Sequence, residues 1–264
     1  MASEIQLITI GPSHFCEKAR WGLDRAGISY KESKHAPVFH MLYTRGLGQG
    51  TSCPKLVLGE GKNKVVLHES SDILKFADEN IMSEEDRLYP SNLEQSVQEW
   101  DTKFNEILGP HARRFAYFYL LYDKHSFKIF SQGLHSRERL LTWCLMPLLK
   151  PLVYRTVGCN SPAAKDHSLD KIRCIFQEVD NVLADGRPFL CGNEFTAADL
   201  TFASLAGPVL CPVGYGTYLV PTEELPSEMS EVTLSLRETL AGKHALRMYE
   251  TERHRKVASK VLVT

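Results

Sequence analysis

Three short segments near the N-terminus constrain this chain more than anything else in it. ITIGPSHFCEKARWGL sets Ser13 and Cys16 where an apolar run gives way to helical composition. TSCPKLVL sets Pro54 just ahead of a second apolar run, and VVLHESSDILKFADEN sets Glu69 and Ser70 at the mouth of another helix. Around them, residues 5–10 read as a strand and residues 17–26 as a helix, with Ala19, Leu23 and Ala26 on one face. Residues 29–33 read as a second strand. Residues 37–52 read as a loop with one short helix, punctuated by Gly46, Gly48 and Gly50. Residues 55–58 and 65–67 flank GEGKN, a hairpin signal. Residues 70–79 return to helical period through Ile73, Leu74 and Ala77. A helix joining the first two strands makes them parallel by right-handed crossover, and the hairpin is antiparallel. The expected unit is a four-stranded mixed sheet with helices packed on it, complete near residue 80.

Past that point strand signals fade. IMSEEDRLYPSN is polar and proline-containing and reads as a linker over residues 83–92. Residues 93–122 read as one long helix, 136–157 as a second bent at Pro147 or Pro151, and 165–183 as a third. A fourth starts at Asp199, and residues 231–240 and 245–261 read as closing helices. The domain organisation is therefore an α/β domain over residues 1–82 and an all-α domain over residues 93–264.

Charge excludes some partners. The formal net charge is -1, which gives no basis for bulk attraction to nucleic acid. The basic cluster Arg253, Arg255, Lys256 and Lys260 is interrupted by Glu250 and Glu252 and reads as a solvated helix face. The start MASEIQLITI lacks the pattern of a signal peptide. LLTWCLMPLLKPLVY is the most apolar stretch, but it is short for a membrane span and broken by Pro147, Lys150 and Pro151. The 7 cysteines show no CxxC and no zinc spacing, so they read as free thiols in a reducing, cytoplasmic setting, and no metal site is expected.

Ser13 follows Gly11-Pro12 at a helix start, where unpaired amides and the helix dipole favour negative charge. A hydroxyl there caps the helix or donates to a bound thiolate. Local sequence alone reads as the cap. Cys16, three residues on, competes for the chemical role, since the first turn depresses a thiol pKa, but that position points inward as a small apolar side chain. His14 is a further candidate, or an exposed turn histidine without a role. Pro54, if cis, turns the backbone of Cys53 toward the Ser13 turn, leaving its amide and carbonyl for a peptide-like ligand. Glu69 and Ser70 at a helix start suit an amino-acid head that carries both charges, or are ordinary capping. Lys55 reads as simple solvation.

In this order and spacing the segments resemble the soluble glutathione transferases, over nearly the whole chain. The resemblance implies a thioredoxin-like N-terminal domain and an all-helical C-terminal domain. Ser-x-Phe-Cys at residues 13–16 is similar to the serine-type classes, in which the first serine of this turn activates glutathione; here that is Ser13. It implies that Pro54 is the family's cis-proline, that Cys53 gives the backbone contact to glutathione, and that Glu69 and Ser70 hold the γ-glutamyl group. Thr196 and Asp199 in FLCGNEFTAADLTFASL match the family's capping box in the helical domain, a structural feature. Departures are His14, where many members have proline, and the long stretch from Lys31 to Ser52, in which His40, Arg45 and Thr51 are the candidates for the glycine carboxylate of glutathione.

The resemblance implies glutathione as co-substrate, conjugated to a small apolar electrophile held between the domains. Phe15, Trp100, Phe104, Arg114 and Tyr117 are the expected pocket residues, and the family's two-fold dimers imply a homodimer. Glutathione-dependent peroxidase or isomerase chemistry, Cys16-dependent thiol transfer, and a non-enzymatic ligand-binding role are the alternatives.

Overall fold

The computed structural model describes residues 5–61 and 64–260. Strands β1 (Ile5–Ile10), β2 (Lys31–His35), β3 (Lys55–Leu58) and β4 (Val65–Leu67) form one sheet in the order β2-β1-β3-β4. β1 is parallel to β2 and antiparallel to β3, and β4 is antiparallel to β3. Helix α1 (His14–Arg25) makes the crossover, α2 (His40–Thr44) lies in the long loop, and α3 (Ser70–Glu79) follows β4. This is the thioredoxin-like arrangement expected from the sequence. The second strand starts at Lys31 instead of residue 29. Gly27 takes φ +62, and the amides of Gly27 and Ile28 close the end of α1 on the Asp24 and Leu23 carbonyls. The residues just past Arg25 are thus used to leave the helix.

After β4 the described residues hold no further strand beyond isolated bridges. α4 (Glu94–Lys103), a π-helical turn at Phe104–Leu108 and α5 (Gly109–Leu120) run on as one rod. Then come α6 (Ser126–Ser131), α7 (Ser136–Val157), α8 (Pro162–Leu183), α9 (Ala197–Leu210), α10 (Ser227–Glu238) and α11 (Leu240–Thr251). Pro147 and Pro151 both lie inside α7, which continues through them. α6 was not expected; six residues carry too little periodicity to be read.

Two apolar layers meet on α1. Trp21 and Leu23 are fully buried, and the helix packs on α3 within its own domain and on α9 of the helical domain. Every residue of α9 is buried. Its start is the expected capping box. The Asp199 carboxylate accepts from the Thr196 amide at 3.1 Å, the Leu190 amide at 2.8 Å and His244 Nε2 at 2.9 Å.

The basic cluster near the C-terminus is not a solvated helix face. α11 ends at Thr251, and the chain then runs back irregularly over the N-terminal domain. The Val257 amide donates to the Arg25 carbonyl at 2.9 Å, and the Met82 amide to the Ala258 carbonyl at 3.0 Å. Arg253 is buried: its Nε donates to Glu17 at 2.7 Å and its Nη1 to Asp24 at 2.9 Å. Glu17 is also fully buried and accepts from Arg20 Nε at 3.1 Å. Burial alone would raise the Glu17 carboxyl, but the two guanidiniums overcome it and hold it below the usual carboxylate range. Lys55 is fully buried too. Its ammonium bonds the Gly48 and Gln49 carbonyls and His68 Nδ1, which ties the long loop to the sheet.

Candidate functional site

Sheet register brings the three sequence segments to one end of the sheet. Ile8 pairs with Lys55 and Leu56 with Leu67, so β1 ends, β3 begins and β4 ends on the same side. Ser13, Cys53–Pro54 and Glu69–Ser70 all leave the sheet there, with the N-termini of α1 and α3. The Cys53–Pro54 bond is cis.

Ser13 is the N-cap of α1, and its Oγ accepts from the Cys16 amide at 3.4 Å. That contact is long, and the hydroxyl proton is not used by it. Arg20 Nη2 and Thr217 Oγ1 both donate to the Gly11 carbonyl, at 3.0 and 3.2 Å, and Tyr215 donates to the Pro12 carbonyl at 3.2 Å. The turn that presents Ser13 is therefore fixed both from α1 and from the helical domain.

Cys16 is fully buried, and burial raises its thiol above the ordinary value. It is a poor thiolate and faces the core. His14 is neither exposed nor free. It is buried, its Nε2 bonds the Gly109 carbonyl at 2.9 Å, and burial, with the charge of Arg113, lowers its pKa to about 3. A carbonyl only accepts, so Nε2 carries the proton and the ring is neutral at working pH. Its role is to tie α1 to α5.

A cavity of about 490 Å³ opens beside Ser13, between the two domains. The N-terminal side supplies Ser13, Phe15, Val38, His40, Thr51 and Cys53. The opposite side supplies residues of α5, α6 and α7, among them Arg113, Tyr117, Leu120, Phe130 and Leu152. His40 lines the cavity; its Nδ1 is buried without a hydrogen-bond partner among the described residues, and burial holds the imidazole below its ordinary pKa. Burial also raises the Cys53 thiol, so its sulfur is protonated near neutral pH. Glu69 is exposed and Ser70 buried at the start of α3, outside the cavity lining.

Of the expected pocket residues, the structure brings Phe15 and Tyr117 to the cavity and places the others elsewhere. Phe104 is fully buried, stacked on Trp100 at 5.1 Å and packed on Phe202 at 5.2 Å between ring centroids. Trp100 stays with it in that aromatic layer. Arg114 points toward α7 and α8, donating to the Val157 carbonyl and Ser168. Its neighbour Arg113 is the cation in the cavity wall, and the Arg113 Nε is buried with no partner among the described residues. Phe15 sits so close over Gly109 that a side chain at position 109 would run into the ring. No cluster able to hold a metal ion exists among the described residues.

An α/β unit of this topology, a capped serine turn and an interdomain cavity under an all-helical domain define a class, and the comparisons agree with it. The glutathione S-transferase N-terminal domain model matches residues 12–80, and the glutathione S-transferase C-terminal domain model matches residues 140–211. This chain belongs to the glutathione transferase family. Among solved structures, a glutathione transferase from Burkholderia graminis with two glutathione molecules bound per subunit superposes with a TM-score of 0.60. Identity is 13%, over 94% of this chain and 84% of that one. A beta-etherase from Sphingobium sp. gives a TM-score of 0.56 at 16% identity, over 92% of this chain and 98% of that one. A glutathione transferase from Phanerochaete chrysosporium with oxidised glutathione gives 0.54 at 14%, over 95% and 96%. At such identities these neighbours show the fold. No curated protein matches the chain.

Proposed function

We propose that this chain binds glutathione at the shared end of the sheet and uses Ser13 to stabilise its thiolate for attack on an apolar electrophile. The observation that carries this reading is the convergence of three segments, Ser13, Cys53–Pro54 and Glu69–Ser70, beside an interdomain cavity. Neighbours of this fold carry bound glutathione, which supports the choice of ligand. The γ-glutamyl head lies at the α3 N-terminus, where free amides and Ser70 take its carboxylate and Glu69 its ammonium. The cysteinyl part pairs with the Cys53 backbone. The glycine carboxylate reaches toward His40 and Thr51. The sulfur then stands over the start of α1, where the Ser13 hydroxyl and the helix dipole favour the anion.

The electrophile occupies the wall opposite. Tyr117, whose phenol burial pushes up to about 12, stays neutral and gives an apolar face with one donor. Arg113, whose Nε is buried without a hydrogen-bond partner among the described residues, suits an electron-rich or anionic substituent on the electrophile. The functional units on this reading are residues 1–82 for glutathione and 93–264 for the second substrate.

Titration calorimetry with glutathione, and conjugation kinetics with an aryl halide, test the assignment. Ser13→Ala is expected to lower turnover about ten- to a hundred-fold with glutathione affinity nearly unchanged, the worth of a hydrogen bond to a charged atom. Glu69→Ala is expected to weaken glutathione binding and leave saturated turnover close to wild type. Absence of glutathione binding rejects the reading. Activity that survives Ser13→Ala and is lost in Cys16→Ser moves the chemistry to the thiol.

A further inference from the structure

Helix α7 is apolar on the side that faces away from the protein. Leu140, Leu141, Trp143, Leu145, Leu148 and Leu152 are exposed, with Leu148 at 72% and Trp143 at 63%. The buried residues of this helix are Glu138, Thr142 and Val153, on the opposite side. A patch of this kind on one continuous helix is an interaction surface. At 3.6 residues per turn, Arg137 and Arg155 lie five turns apart on one line, about 27 Å, and bracket the apolar stripe at its two ends. Arg139 and Lys150 lie together on one edge of the helix, over the Phe127 and Tyr122 rings. The single carboxylate on α7, Glu138, is buried and engaged by His35 Nδ1 at 2.9 Å and the Ala36 amide at 2.8 Å.

We propose that α7 docks this protein on an anionic phospholipid surface and sets the mouth of the interdomain cavity against the bilayer. No helix among the described residues is long and apolar enough to cross a membrane, so the helix lies in the plane of the interface. The leucines enter the acyl boundary, Trp143 sits at headgroup depth, and the arginines at both ends meet lipid phosphates. Charge favours lipid over a second copy of this chain. A two-fold pairing of α7 faces stacks one basic rim on another with no exposed carboxylate on the helix to offset it.

Continuity with the cavity gives the docking a consequence. Leu152 is 50% exposed and also lines the cavity, and so does Met41 of α2 at 41%. The neighbouring Leu42 is 71% exposed. The apolar stripe therefore reaches the cavity mouth at Leu152, where an apolar molecule dissolved in the bilayer meets the cavity. This surface goes beyond the transferase reading and does not depend on it.

The test uses the full-length protein with vesicles of phosphatidylcholine alone or mixed with phosphatidylglycerol, by co-sedimentation and by quenching of tryptophan fluorescence with brominated lipid. Binding to the mixed vesicles, weaker binding to the neutral ones and loss at high salt are expected. Trp143→Phe should remove most of the quenching, because Trp21 is fully buried and Trp100 is half-buried against Phe104. Leu141→Glu and Leu148→Glu should lower vesicle partitioning at least about tenfold. Arg137→Gln with Arg155→Gln should erase the preference for phosphatidylglycerol. Wild type that sediments with neither vesicle overturns the proposal, as does equal binding by Leu148→Glu. A solution dimer that Leu148→Glu dissociates, with no lipid binding by wild type, assigns the face to a second copy and also overturns it. The wild-type quenching reads out independently of how any variant folds.

Discussion

The two walls of the cavity are held in opposite ways. On the N-terminal side, the Ser13 turn is fixed by Arg20, Thr217 and Tyr215 and stands above the buried Glu17–Arg20–Arg253 group. Polar contacts there fix position. On the helical side, α5, α6 and α7 present mostly apolar side chains, and α7 is buried at only a few positions. Apolar packing fixes shape loosely and tolerates change. On the proposed reading, the first wall holds a constant polar ligand at a set distance and the second admits apolar molecules of varied outline.

The largest effect that would break this contrast is on stability. Glu17→Ala leaves Arg20 and Arg253 short of a buried partner, and a loss of about 3–5 kcal/mol in denaturant unfolding is expected. A loss under about 1 kcal/mol, the worth of an exposed pair, would mean that the ion group does not fix the turn.

A smaller, pH-dependent effect sharpens the contrast. His14 titrates at about 3 in the folded protein and near 6.5 when unfolded. Between those values the unfolded chain binds the proton and the folded one does not, so stability is full above pH 6.5 and falls as pH drops. The slope from this one site is about 1.4 kcal/mol per pH unit. His111, lowered to about 4 by burial and Arg114, adds a loss of the same sign. His14→Gln should flatten the acid limb of a stability-versus-pH curve without affecting it above pH 7. An unchanged limb would place the proton elsewhere.

How far the sequence could be read follows the same division. The sheet, α3, the Ser13 turn and the Thr196–Asp199 capping box were legible because each is specified by residues close together in the chain. The cavity's helical wall was not. Trp100, Phe104 and Arg114, expected at the pocket from the resemblance, all lie away from the cavity. The π turn at Phe104–Leu108 widens the helix locally and rotates everything after it by about one residue. Arg113 faces the cavity and Arg114 turns to the Val157 carbonyl and Ser168, and a regular 3.6-residue period does not tell two such neighbours apart across the turn. His14, Lys55 and Arg253 were misread as exposed because their partners lie far off in sequence; Gly109 is 95 positions from His14, and Glu17 is 236 from Arg253. Nor did the apolar run of α7 declare that it stays uncovered, since the equally apolar α9 is buried throughout.

The central claim is that the polar wall lowers the pKa of a bound thiol through Ser13. Absorbance of the thiolate, followed against pH in the glutathione complex, measures this directly for wild type, Ser13→Ala and Cys16→Ser. A bound thiol well below its free pKa in wild type and in Cys16→Ser, returning about 1–2 pH units toward it in Ser13→Ala, is the predicted result. A bound thiol with its free pKa in wild type would leave Ser13 as a helix cap alone and contradict the account.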